Sequence, residues 1–187
     1  MKQCCYLMML LAVSSLPAAP ANIVFEAETA AAIEAPMVLV TTTEVPAGSH
    51  FVAGASGEVY LEIPEDAGNP PKLNKGLARF SVDVPEAGGY TLWARVYWEG
   101  ECSNSFTVEI DESAPFLFGE NATYKQWHWV KYPVARMVPP INLTKGRHTI
   151  TFRNREDGVR LDQIILSPNR RFVPVAIEGA TTRGDQP

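Results

Sequence analysis

The sequence predicts an all-β fold, a jelly-roll β-sandwich of two antiparallel sheets, and three observations carry that prediction. Period-two alternation of apolar and polar residues recurs from one end of the chain to the other. Fifteen Pro and 13 Gly in 187 residues cut it into short segments. No segment carries the 3.6-residue apolar stripe of an amphipathic helix. About nine short strands in one open sheet would bare an apolar face, so they must close into two packed sheets.

Ile23–Glu28 opens the series, followed by Val38–Thr42 and Glu58–Ile63. Asp66–Lys75, rich in Gly, Asn and Pro, reads as a loop. Next, Ala78, Phe80, Val82 and Val84 point one way, and Arg79, Ser81 and Asp83 the other. Beyond the turn Pro85–Gly89, Leu92, Ala94, Val96 and Trp98 oppose Trp93, Arg95 and Tyr97. Glu99-Gly100 turns the chain toward Phe106, Val108 and Ile110, which oppose Ser105, Thr107 and Glu109. His128–Val134 and His148–Arg153 come next, then the turn Asp157-Gly158 and the strand Val159–Ser167. With Leu161, Ile164, Ile165 and Leu166 that strand is apolar on both faces, which predicts a central position. One domain is expected over 22–173, with 174–187 a loosely held tail.

The first 21 residues are not expected in the fold. Lys2 gives a small positive region, Cys4 to Leu16 is almost wholly apolar, and small residues stand at Ala19 and Ala21. This is the pattern of a secretory signal peptide cut before Asn22, which predicts an exported, extracellular or periplasmic protein. No stretch approaches the roughly 20 apolar residues a membrane span needs, so no membrane insertion is expected. Sixteen Lys+Arg against 21 Asp+Glu, with no basic run, leave no footprint for nucleic acid. Cys4 and Cys5 leave with the signal, so Cys102 has no partner for an intrachain disulfide.

Glu26-Ala27-Glu28 places two carboxylates at i and i+2, on one face of the first strand. Like charges that close are costly unless a cation or basic side chain lies between them. A solvated strand face is one reading and a hard-cation site the other. Asp162, in the last strand, completes a trio if the first and last strands pair.

At this point three blocks resemble a known family. Glu26-Ala27-Glu28, Gly89-Tyr90-Thr91-Leu92-Trp93-Ala94-Arg95-Val96 and Gly158 to Leu166 are similar, in order and spacing, to carbohydrate-binding modules of families 6 and 35. These belong to the galactose-binding-like β-sandwich group. The resemblance implies a structural Ca2+ held by Glu26, Glu28 and Asp162, with backbone carbonyls near Ser49–Phe51. It also implies a polysaccharide or glycan site among loops at one end of the sandwich. On that pattern Trp127 is the loop aromatic and Asn154 the Asn of the final loop, while Trp98 and Asn104 bracket another loop. The final loop departs from the family in being charged, Arg155-Glu156-Asp157. Arg155 would suit a carboxylate or sulfate on an acidic polysaccharide, with Glu156 the acid beside it; an internal pair with Glu156 or Asp157 is the equal alternative. Trp93 and Trp129 are expected in the core, and His128 as a packed imidazole.

No catalytic residue is expected. Gly54-Ala55-Ser56-Gly57 lacks the spacing of a nucleophile elbow, and no HExxH, Walker or dinucleotide motif occurs. Glu109, Asp111 and Glu112 read as solvated carboxylates beside a turn. The expected function is therefore a non-catalytic carbohydrate-binding protein with structural calcium. A surface, matrix or filament subunit using the sandwich for protein contacts is the alternative, and a jelly-roll lyase or hydrolase a distant third. The sequence does not fix the oligomeric state. Asn121 and Asn142 head N-x-T sequons, and Arg183-Gly184-Asp185 lies in the tail.

Overall fold

The computed structural model describes residues 21–70, 75–135 and 137–179. The signal-peptide reading therefore lies outside the described residues up to Pro20, as does Arg183-Gly184-Asp185. Twelve strands run in the order β1 (Ile23–Glu26), β2 (Ala32–Glu34), β3 (Val38–Thr41), β4 (Val59–Ile63), β5 (Leu77–Val84) and β6 (Gly88–Trp98), followed by β7 (Ser105–Ile110), β8 (Phe116–Gly119), β9 (Trp127–Tyr132), β10 (Ile141–Leu143), β11 (Gly146–Asn154) and β12 (Val159–Ser167). Short 3-10 turns occupy Ala27–Thr29 and Ser56–Glu58.

Two antiparallel sheets face each other. In the five-stranded sheet the order is β2-β5-β11-β7-β8. In the seven-stranded sheet β6 and β12 lie at the middle. One edge of β12 takes β6, while the other is shared by β1 along Leu166 to Gln163 and β4 along Leu161 to Val159. The far edge of β6 is shared by β9 and β10. All nine residues of β12 are buried, as expected of a central strand.

Alternation explains the core between the sheets. Leu92, Ala94, Val96 and Trp98 of β6 meet Phe80 and Val82 of β5, Phe106 and Val108 of β7, and Phe152 of β11. Phe152 sits edge-on to Phe80, Phe106 and Phe118, with centroids 6.0, 5.7 and 5.7 Å apart. Such tilted pairs contribute about 0.5–1.5 kcal/mol each beyond their burial.

The other face of the large sheet is covered as well. Trp93 is buried, yet outside the main core, in a cluster with Val24 and Ile165 beneath Trp129 and Phe172. Residues 174–179, expected to be loosely held, lie along this face. Trp129 Nε1 donates to the Ala176 carbonyl at 3.0 Å, and Glu178 N donates to Gln163 Oε1 at 3.0 Å. The indole and amide groups on this face give the returning chain fixed partners.

Candidate functional site

The expected carboxylate trio is brought to one region, by a route the sequence reading did not foresee. The first strand stops at Glu26, so Glu28 stands in a 3-10 turn and not two places along a strand. In β12 the register against β6 shifts between Leu161 and Gln163, a bulge beside Asp162. Leu161 lies in the main core before the bulge, and Ile164 and Leu166 after it. The extra residue leaves Asp162 facing the covered side of the large sheet, as bulges re-aim side chains. There Ser56 N donates to Asp162 Oδ1 at 2.8 Å, and the Arg95 guanidinium pairs with Oδ2. Glu26 Oε1 accepts from Gln163 Nε2 at 2.8 Å and from Ser56 Oγ at 3.2 Å.

Two oxygens in this region have no partner: Glu26 Oε2 and Glu28 Oε2 are both buried and unbonded. Burial, reinforced by the charges of Glu26 and Asp162, pushes the Glu28 carboxyl up to about 7 against the help of a backbone hydrogen bond. Burial likewise raises Asp162, although Arg95 and Ser56 oppose it. Among the described residues no group of three or more His, Cys, Asp or Glu side chains is spaced to hold a metal ion. Arg95 is the basic side chain the sequence reading required if no cation were present, but of the three carboxylates it pairs with Asp162, its other hydrogen bond going to the Gly54 carbonyl at 3.0 Å. The orphaned oxygens of Glu26 and Glu28 are hard donors of the kind calcium takes, two of the six to eight it requires.

The sugar-site residues separate into two groups. Trp98 is a correction. The alternation of β6 points it inward, where it is fully buried, 5.6 Å from Phe106 and 6.0 Å from His128. No ligand face is left to it. Asn154 is buried too, holding the loop carbonyl of Gly68 through Nδ2 at 2.9 Å. Its Oδ1 is buried without a partner among the described residues, beside a cleft of about 240 Å³ that Lys75 and Arg153 also line.

Trp127 begins β9 opposite Tyr97 and is half-buried, not a free loop plane. Its ring lies 5.4 Å from Tyr60 and 5.6 Å from Tyr97, with the Arg95 guanidinium 5.4 Å above it. Its Nε1 donates to the Ala53 carbonyl at 3.0 Å. Gly54 passes so close that a Cβ there would meet the indole at 3.3 Å, and its φ of +95° favours glycine. Trp127 thus fastens the 51–54 segment over the sheet.

Asn104, Arg155 and Glu156 do come together, at the Trp98 end of the sandwich. Glu156 Oε2 accepts from Asn104 N at 2.9 Å and Ser105 Oγ at 2.7 Å, while Arg155 pairs with Oε1. Arg155 also donates to Ser105 Oγ at 2.5 Å, so of its two readings the internal pair is the one present. Asn104 Nδ2 donates to the Glu101 carbonyl at 2.8 Å and to Asn121 Oδ1 at 3.2 Å. Tyr124 donates its hydroxyl to the same Asn121 oxygen. The result is a shelf of side-chain amides, a carboxylate and one aromatic ring. Tyr124 and Asn121 were missed as site residues, although both fall in the turn-like stretch 119–126. The indole after it drew the assignment instead.

Nearby charges are satisfied structurally. Arg160, buried, pairs with Glu62 at 2.7 Å and Glu99 at 2.9 Å above the Tyr97 ring. His128 Nε2 lies 3.1 Å from Glu120, a packed imidazole as expected. Glu109 pairs with Arg153 at 3.1 Å.

No family model and no curated protein matches the chain. Solved structures do. A family 35 carbohydrate binding module from Clostridium thermocellum superposes with a TM-score of 0.53 at 17% identity, over 80% of this chain and 100% of that one. Another structure of a family 35 module from that organism gives 0.52 at 18%, over 77% and 97%. The Podospora anserina GH26-CBM35 β-(1,4)-mannanase gives 0.58 at 19%, over 82% of this chain. This chain spans only 29% of that enzyme. These likenesses show the fold: a β-sandwich of the family 35 module type.

Proposed function

We propose that this chain is an exported, non-catalytic module that binds a polysaccharide through the Asn104–Tyr124 shelf and is stabilised by a calcium ion. The observation that carries the reading is the shelf itself. Sugars present hydroxyls around an apolar C–H face, and an aromatic ring flanked by amides and a carboxylate matches both. Arg155 is neutralised by Glu156, so the shelf suits a neutral sugar. Export rests on the leader pattern of residues 1–21. The absence of a catalytic role rests on span and chemistry: a whole binding module is matched but less than a third of an enzyme, and Glu109, Asp111 and Glu156 have structural partners.

Glu26 and Glu28 would hold the ion through their unbonded oxygens, with Asp162 joining by sharing its Oδ2 with Arg95. Calcium would supply charge neutralisation there and take no part at the shelf. The geometry calls for no chemical step.

The test is calorimetric titration of the protein with a panel of neutral and acidic glycans, with Ca2+ and with chelator. Wild-type protein is expected to bind in the micromolar to millimolar range, about −8 to −4 kcal/mol. Tyr124→Ala should weaken binding of neutral glycan roughly thirty-fold with the fold retained. Release of reducing-end or unsaturated products would overturn the non-catalytic reading.

A further inference from the structure

A second cleft lies at the other end of the sandwich. Its volume is about 460 Å³, within the roughly 300–1,000 Å³ of ligand sites. Thr91 of β6, Lys131 of β9 and residues 133–135 and 170–173 line it. Thr91 and Trp98 are seven residue steps apart along β6, so the cleft is about 23 Å from the shelf end at about 3.3 Å per residue.

Its chemistry is lopsided. The charged side chains lining it are Lys131, Arg170 and Arg171, with no carboxylate, in a chain of net charge −5. Lys131 is half-buried, its ammonium 5.6 Å from the centroid of the Trp93 ring. Neither Lys131 nor Arg171 forms an ion pair among the described residues, whereas Arg155, Arg153 and Arg160 all do. Arg170 donates to the Val138 carbonyl at 3.1 Å. The lining is otherwise apolar, with Val134 and Val173 61% or more exposed and Phe172 packed beneath them.

We propose that this cleft is a second carbohydrate site, which takes an anionic unit of an acidic polysaccharide. A sugar ring would lay its C–H face against Pro133, Val134 and Val173, and its carboxylate or sulfate ester would meet Lys131 and Arg171. The planar guanidinium of Arg171 suits either group by paired hydrogen bonds. The half-burial of Lys131 favours a narrow strand over the flat surface of a bilayer. The inference rests on the carbohydrate-binding reading but on none of the shelf residues.

The probes are a short oligogalacturonate, dextran sulfate, neutral dextran and phosphatidylglycerol vesicles. Amide-resolved NMR and affinity are read on wild-type protein, Tyr124→Ala and Lys131→Gln/Arg171→Gln, the last at exposed or half-buried positions so that folding is preserved. Oligogalacturonate or dextran sulfate should shift the amides of Thr91, Lys131 and Phe172, and the preferred one identifies the anion. The double variant should weaken that binding roughly tenfold or more, and added salt should weaken it further. Tyr124→Ala should leave it unchanged. Shifts confined to the Asn104–Tyr124 end, an unaffected double variant, preference for vesicles, or no binding of either acidic glycan would overturn the proposal. Neutral-glycan binding that persists in Tyr124→Ala would instead count against the shelf alone.

Discussion

At the Trp98 end of the sandwich Arg155 is tied to Glu156 and Lys125 lies 3.8 Å from Glu99. At the Thr91 end Lys131 and Arg171 face a cleft with no carboxylate in its lining. Both ends are loop clusters on the same strands. The first presents neutral amides and a ring already ordered by mutual hydrogen bonds, which is what hydroxyl recognition requires. The second keeps Lys131 and Arg171 half-solvated and without an ion pair among the described residues, where an incoming anion gains most. Two chemistries can thus be held by one small fold, because each strand delivers one residue to either end.

The largest effect should come from what supports the shelf. Trp98→Ala opens a cavity against Phe106 and His128 and should cost about 3–5 kcal/mol in a denaturant titration. Phe172→Ala, beneath the cleft, removes a half-buried ring and should cost less, about 1–2 kcal/mol. Equal losses would show that the two ends are not supported differently.

Next in size is calcium, which lies between the ends in this account. At about 100 times its dissociation constant it should add about 2.7 kcal/mol to stability, read as a rise in melting temperature. Glu28→Gln should abolish most of that rise. A melting temperature unmoved by calcium after stripping would refute the ion's role.

Much of this organisation was legible from alternation. Val159–Ser167 was placed at its true limits and as a central strand, because nine consecutive residues can be buried only in mid-sheet. The strands β2, β8 and β10 were not foreseen, since three or four residues show no period. The bulge at Asp162 did leave a trace: the inward series Val159, Leu161 changes phase to Ile164, Leu166. Trp98 belonged to an inward-facing series that already marked it as core. Tyr124 was harder to find, because nothing in a loop sequence tells that its hydroxyl meets the Asn121 amide beside Asn104.

The smallest expected effect concerns a titrating pair at the Thr91 end. Burial alone would lower His148, but its hydrogen bonds to Asp111 at 2.7 Å and the Thr144 carbonyl at 2.9 Å, together with the Asp111 charge, raise it above 6.5. Burial would raise Asp111, yet hydrogen bonds from Thr149 N and His148 hold it below 3.8. A raised histidine adds stability that is full below its unfolded value and fades as pH rises through its folded value. A lowered aspartate adds stability above its unfolded value that is lost as pH falls through its folded one. The pair should therefore help most from about pH 4 to 6.5. Asp111 is 47% exposed, so the contribution should stay under about 1 kcal/mol. Melting curves of Asp111→Asn across pH should show a deficit in that window that shrinks at alkaline pH; a deficit independent of pH would contradict the pairing.

The most direct measurement for the account as a whole is a neutral-glycan titration of wild-type protein beside Tyr124→Ala and Trp127→Ala, with thermal melting of each. Tyr124→Ala should lose about 2 kcal/mol of binding, roughly thirty-fold, with the fold retained and a melting temperature lowered only by the loss of a half-buried ring packed on the core. Trp127→Ala should melt early, because its ring fastens the 51–54 segment. Glycan binding that survives Tyr124→Ala but vanishes in a normally melting Trp127→Ala would contradict the shelf and return the site to the indole.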